Sequence, residues 1–137
     1  MRGEPTTMNS LAQYDDVTEE VIQELQQRID AALAVGILPE KIMIDPGFGF
    51  AKDAKHNFKL LNELYRLNTL GYPILSGLSR KRFIGEALGG VEAIQRAVGS
   101  VAGHLLSIQQ GACIVRAHDV RATVDVIRVW QHMQNSV

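Results

Sequence analysis

The stretch Asp45-Pro46-Gly47-Phe48-Gly49-Phe50-Ala51-Lys52, DPGFGFAK, follows the apolar run Ile42-Met43-Ile44 and leads into a helix-like segment. A carboxylate that closes an apolar run marks a strand end. Pro-Gly directly after it suits a tight type II turn, because proline presets φ and glycine accepts a positive one. That accounts for Pro46 and Gly47 only. Gly49 lets the backbone approach a flat ligand, and Phe48, between the two glycines, is placed to cover one ligand face; core packing or loop anchoring is the blander reading of Phe48 and Phe50. An acid at the end of a buried strand needs a cationic or multiply donating partner, since a buried unpaired carboxylate is too costly to keep charged. A guanidine-like edge with two parallel N–H donors is the best geometric match. Against this stands a local role for Asp45, as a cap or as acceptor in its own turn. GFG is not GxGxxG, so the loop does not read as a dinucleotide fingerprint.

Working outward, apolar residues at Val21, Ile22, Leu25, Ile29, Ala32 and Leu33 predict a helix over 18–35, capped by Asp15 or Asp16 and ended by Gly36. A strand over 41–45 precedes the quoted loop. A second helix follows with the stripe Phe58, Leu61, Leu64, Tyr65 and Leu67 or Asn68, closed by Gly71. Strand 73–76, the loop 77–82, a helix bearing Val98, Val101, Ala102, Leu105 and Leu106, strand 112–116 and a helix over 123–133 complete the chain. Strands alternating with helices predict an α/β fold with a parallel sheet, whose ligands bind beyond the carboxyl ends of the strands. The unusual residues cluster there: Asp45, then Ser79-Arg80-Lys81-Arg82, then Arg116 and His118.

The 137 residues suffice for one domain, and a net charge of −1 gives no general footprint for nucleic acid or an anionic membrane. Basic chemistry is therefore local, and a small ligand fits best. The single cysteine, Cys113, reads as a packed strand residue, in keeping with a reducing cytoplasm. The N-terminal segment lacks a signal-peptide core, and no run of about 18 apolar residues occurs. Three cations after a strand create a field suited to a carboxylate, a phosphate or a polar heterocycle. Their bland reading is a solvated loop, and for Arg116 it is an ion pair with Asp119. No metal-ligand spacing and no nucleophile with an identifiable base are evident.

DPGFGFAK, then GLSRKRFIG over 77–85, then IVRAHDV over 114–120 resemble, in order and separation, the carboxyl-terminal motifs of the dihydropteroate synthase family of folate biosynthesis. Met1-Arg2-Gly3 is similar to the end of that family's fifth strand motif. The resemblance implies a (β/α)₈ TIM barrel, of which residues 1–137 would hold only the carboxyl-terminal βα units, about three strands plus helices. It implies condensation of a pterin diphosphate with 4-aminobenzoate, releasing pyrophosphate, with magnesium bound mostly by residues outside this chain, and makes the family a sulfonamide target. Asp45 would hold the amino-pyrimidinone edge of the pterin. Lys81 would contact the pterin ring and, with Ser79, place 4-aminobenzoate; Phe50 would line the aminobenzoate side, and Gly77 would bring backbone to the pterin. Arg116 and His118 would bind the departing pyrophosphate. A chain of this length would be an inactive fragment unless a homodimer or the missing barrel half completes it. A pterin-binding methyltransferase relative and a non-catalytic half-barrel are the alternatives.

Overall fold

The computed structural model describes residues 2–4 and 6–136. Met1, and with it part of the Met1-Arg2-Gly3 motif, lies outside the described residues. Asp16 opens the first helix, α1 (Val17–Ala34), its carboxylate accepting from the Thr18 and Glu19 amides at 3.1 and 3.3 Å. Gly36 ends it at φ +88°, donating to the Leu33 carbonyl while Ile37 reaches back to Ala32. Val17, Val21 and Ile29 are buried, with Ile22 and Leu25 packed beside them, so the predicted face is the real one up to Leu33, which is exposed.

The second helical segment departs from expectation. α2 (Ala54–Asn62) stops early, and a 3₁₀ helix over Leu64–Leu70 continues it to Gly71. A 3₁₀ repeat brings every third residue to one side. Leu61, Leu64 and Leu67 therefore share the buried face, with Leu60 beside them, while Phe58 and Tyr65 point outward.

The strands are shorter than predicted. The 41–45 segment contributes one parallel bridge, Ile44 to Ile74, and is followed by β1 (Leu75–Ser76) and β2 (Ile114–Val115), also parallel. β1 is central, with Leu75 paired to Ile114 and Ser76 to Val115. Beyond these rungs each segment leaves the ladder for a loop: after Ile44 at Asp45, after Ser76 at Gly77, after Val115 at Arg116. Cys113 is exposed rather than packed. It sits on the pleat opposite Ala112, the residue of this segment that joins the core.

Three helices complete the architecture. α3 (Arg82–Ala87), which the sequence reading left within and beyond a loop, follows the basic run directly. The helix expected here forms as α4 (Ala97–Gln109), which buries Ser100, Val101, Gly103, His104 and Ser107, whereas its apolar Val98 and Leu106 are exposed. Most buried polar atoms there are paired, Ser107 with Ser76 at 2.8 Å and His104 Nδ1 with Thr123 at 3.1 Å, whereas His104 Nε2 has no partner. Gly103 lets the helix lie against Leu78, whose Cδ1 would stand 2.8 Å from an added Cβ. α5 (Val120–Gln134) packs on α4 and begins three residues before its predicted start. The core joins α1, α2, the 3₁₀ segment, β1 and α3 through Phe48, Leu60, Leu64, Leu67, Ile74 and Leu78, each no more than 1% exposed.

Candidate functional site at the strand ends

The loop after Ile44 is held by side chains. Asp45 Oδ1 accepts from the Gly47 amide at 2.8 Å, so the Pro46-Gly47 step is closed by an aspartate rather than by a backbone turn. The backbone turn comes two residues later, Phe50 N–H donating to the Gly47 carbonyl at 3.1 Å, with Gly49 at φ +75° in its third position. That is why the second glycine is needed. An added Cβ at Gly49 would also fall 2.9 Å from Lys81 Cδ. Phe48 is 1% exposed and stacks on Phe83 with ring centroids 6.1 Å apart, so it anchors the loop in the core and does not cover a ligand. Phe50 takes the other side, its ring 3.9 Å beneath Lys81 Nζ. Asn57, buried on α2, accepts from Gly49 N–H at 2.7 Å and donates to the carbonyls of Asp53 and Lys52.

Asp45 itself is exposed, not buried, and lines a cavity at the strand end. Lys81, half-buried, has its ammonium pushed below the usual lysine range by burial and by Arg116, with Asp45 pulling the other way. Asp45, Lys81 and Arg116 thus lie within electrostatic reach of one another across three strand ends. Arg116 is exposed and lies over Gly77, where an added Cβ would meet Nη2 at 2.7 Å. Its expected alternative partner, Asp119, is taken by Arg80, Nη2 to Oδ1 at 2.7 Å and Nε to Oδ2 at 3.1 Å. A bidentate fork fixes guanidinium geometry better than a single contact. Arg80 has φ +55°, and both its peptide groups are held, the amide by Ser100 Oγ at 2.8 Å and the carbonyl by Arg96 Nη1 at 3.0 Å. Ser79 is buried, and its hydroxyl contacts the His118 amide at 3.1 Å and the His118 ring Nδ1 at 2.9 Å. His118 is exposed.

Two cavities flank the 47–52 loop. One of about 330 Å³ lies between Arg2, Tyr14 and Glu24 on one side and Asp45, Gly47 and Lys52 on the other. A second, of about 210 Å³, is lined by Gly49, Lys52, Asn57, Lys81 and Phe83. Lys52 borders both. Its ammonium donates to the Gly47 and Phe50 carbonyls at 3.2 and 3.3 Å, and burial pushes it down to about 8. Lys52 has no role in the sequence pattern alone; its signal there is a lysine ending an aromatic-glycine loop. Arg2 also went unassigned. Its guanidinium lies 4.0 Å from the centroid of the Tyr14 ring and pairs with Glu20 and Glu24 at 2.6 Å. The structure brings Asp45, Phe50, Gly77, Lys81 and Arg116 to one edge, with Ser79 turned inward beneath His118.

The family model described as pterin binding enzyme matches residues 1–118. The dihydropteroate synthase of Haemophilus influenzae is 44% identical over 136 residues, which are 99% of this chain and 49% of that protein. Among solved structures, the dihydropteroate synthase of Stenotrophomonas maltophilia with active site-bound imidazole superposes with a TM-score of 0.94 and 47% identity, over 98% of this chain and 51% of that one. The Xanthomonas albilineans enzyme in complex with 7,8-dihydropteroate gives 0.88 and 46%, over 96% and 55%. The chain spans about half the length of the curated relatives it matches. Its few parallel strands and their helices are a partial (β/α)₈ barrel.

Proposed function

Since the chain belongs to the pterin-binding enzyme family, we propose that it supplies the strand-end half of a dihydropteroate synthase site, in which 4-aminobenzoate displaces pyrophosphate from a pterin methylene. The observation that carries this reading is the convergence of Asp45, Lys81, Arg116 and His118 on the carboxyl ends of three adjacent parallel strands. The exposed Asp45 oxygen offers an acceptor to an amino-pyrimidinone edge. Lys81, fixed over Phe50 and near Arg116, faces the ring and the arylamine side. Arg116 and His118 face the diphosphate.

In this reaction the arylamine nitrogen forms a bond to the methylene carbon as the carbon–oxygen bond to diphosphate breaks, and the amine proton leaves to solvent. No protein nucleophile takes part. Residues contribute by holding the two reactants in line and by placing positive charge where the leaving group gains negative charge. The expected magnesium finds no ligand set here: among the described residues no three His, Cys, Asp or Glu side chains are grouped to hold a cation, and Asp119 is engaged by Arg80. Sulfonamides, as 4-aminobenzoate mimics, would compete on the Phe50 and Lys81 side. A cytoplasmic setting suits a diphosphate-bearing substrate.

We expect the 137-residue chain to bind without turning over, because three strand ends surround only part of a bicyclic substrate and exclude water poorly. The test is pyrophosphate release from the pterin diphosphate and 4-aminobenzoate, with the chain alone and with the remaining barrel strands of a relative supplied separately. Turnover recovered only on mixing supports a shared site. Failure of pterin and pyrophosphate alike to bind, in either setting, refutes the reading.

A further inference from the structure

Two consecutive residues of the loop after β1 hold two consecutive residues of the loop after β2: Ser79 holds His118, and Arg80 holds Asp119. The second link is a bidentate ion pair, which stops the loops sliding past each other. The first selects a proton position. Ser79 Oγ accepts the His118 backbone N–H, and it is 5% exposed. Among the described residues its hydroxyl proton has one acceptor within reach, His118 Nδ1 at 2.9 Å. Were Nδ1 protonated instead, it would donate to an oxygen already accepting an amide, and the buried hydroxyl proton would be left without a partner.

We infer that Ser79 is a positioning residue that keeps the neutral His118 ring in its Nε2–H form, with that N–H directed away from the loop as a donor for an oxyanion. The anion in question is the pyrophosphate of the function proposed above, on which this part of the inference rests. Ser79 then acts on the pyrophosphate through His118 rather than by touching it. The charged and titratable groups around His118 are Asp119 and Arg80, His104 on α4 and Arg116 two residues before it; the Arg80–Asp119 pair is internally matched, so the ring's orientation is left to Ser79.

His104 provides an internal contrast. Thr123 Oγ1 donates to the Asp119 carbonyl at 2.9 Å, so at 3.1 Å from His104 Nδ1 it can only accept. His104 therefore carries its proton on Nδ1, and its Nε2 is buried with no partner. Burial holds this ring neutral by pushing its pKa down. The same chain thus contains two histidines of opposite tautomer, each chosen by a hydroxyl.

The experiment is long-range ¹H–¹⁵N NMR on the ¹⁵N-histidine-labelled chain at pH about 9, where an ordinary imidazole is neutral, with each ring assigned by its His→Gln variant. The exposed His132 serves as the unconstrained reference. Expected are Nδ1–H for His104 and an Nε2–H fraction for His118 above that of His132. Ser79→Ala should lower the His118 fraction to the His132 level and weaken inorganic pyrophosphate binding about tenfold, about the loss of one hydrogen bond; Ser79→Thr should restore both. Nδ1–H on His118, or a His118 signal that matches His132 in the unsubstituted chain, overturns the inference even if Ser79→Ala does not fold. A constrained Nε2–H ring in a chain that binds no pyrophosphate upholds the role of Ser79 and removes the anion site instead.

Discussion

Replacing Gly77 by alanine separates what this site needs for folding from what it needs for ligands. Gly77 is buried and does not have a left-handed φ, so its backbone accepts alanine without conformational strain. The new methyl carbon would stand 2.7 Å from Arg116 Nη2, and ordinary contact begins at 3.4 Å, so the guanidinium must retreat by about 0.7 Å. Arg116 is exposed and its far end is flexible, so the retreat costs little stability. Loss of glycine's freedom in the unfolded chain acts the other way, by about 0.4–1 kcal/mol. The midpoint of urea unfolding should therefore hardly move. A hydrogen bond from a charged donor to an anion contributes about 1.5–3 kcal/mol, and a shift of this size spoils its distance and angle. Calorimetry should show pyrophosphate binding weakened by about 10- to 100-fold. Unchanged pyrophosphate affinity would refute the claim that Arg116 binds from its position over Gly77. A loss of affinity that merely tracks unfolding would refute the claim that the glycine serves the ligand rather than the fold.

Lys52, with its folded pKa near 8 against an ordinary value of 10.5, gives a stability that rises with pH. Below about pH 8 both states hold the proton and the burial penalty is felt in full; between about 8 and 10.5 the unfolded chain binds more protons, so stability climbs, by at most about 3 kcal/mol. Urea midpoints across that window should show the rise in the unsubstituted chain and not in Lys52→Met; equal slopes in both would exclude Lys52 as its source. Asp45→Asn turns one acceptor into a donor facing ligand N–H groups, an unpaired contact of about 1–3 kcal/mol, so calorimetry should show pterin affinity reduced from several-fold to about a hundredfold, and an unaltered affinity would remove Asp45 from the pterin edge. Leu64→Ala empties a site with no exposure and should lower stability by about 2–5 kcal/mol in urea titration; a smaller loss would mean that the 3₁₀ segment collapses to fill the space.

The loops and the first helix were legible because their signals are local. Asp16 as cap, the Val21-to-Ile29 spacing and Gly36 lie within one helix, and DPGFGFAK carries its own turn chemistry. α4 was legible as a helix and its Val101 is buried, but the rest of its buried face is Ser100, Gly103, His104 and Ser107, residues that qualify for burial only when partners on β1 and α5 are known. Val98 and Leu106, apolar residues of the same helix, are exposed. The phenylalanines of the quoted loop divided in the same way: nothing local distinguishes Phe48, stacked in the core, from Phe50 beneath Lys81. The contacts of Ser79 with His118 and of Arg80 with Asp119 each span 39 residues, and no periodicity reports a pairing across that distance. From sequence, Arg80 is therefore only one of three cations lending a local field or a solvated loop, and Asp119 only a bland alternative partner for Arg116.

The two-residue strands have a further consequence. With so few ladder bonds to carry it, the shape of the first two strand-end loops is set from the side, by Asn57 on α2 and by Arg96 and Ser100 at the start of α4, and the second loop in turn holds the third. Information about where a ligand would sit is thus stored in helices that never meet it. A survey of inactivating substitutions would then show two populations, one around the rim and one hidden behind it, and the hidden one would be mistaken for damage to the fold by any assay that did not weigh solubility and melting separately from ligand capture.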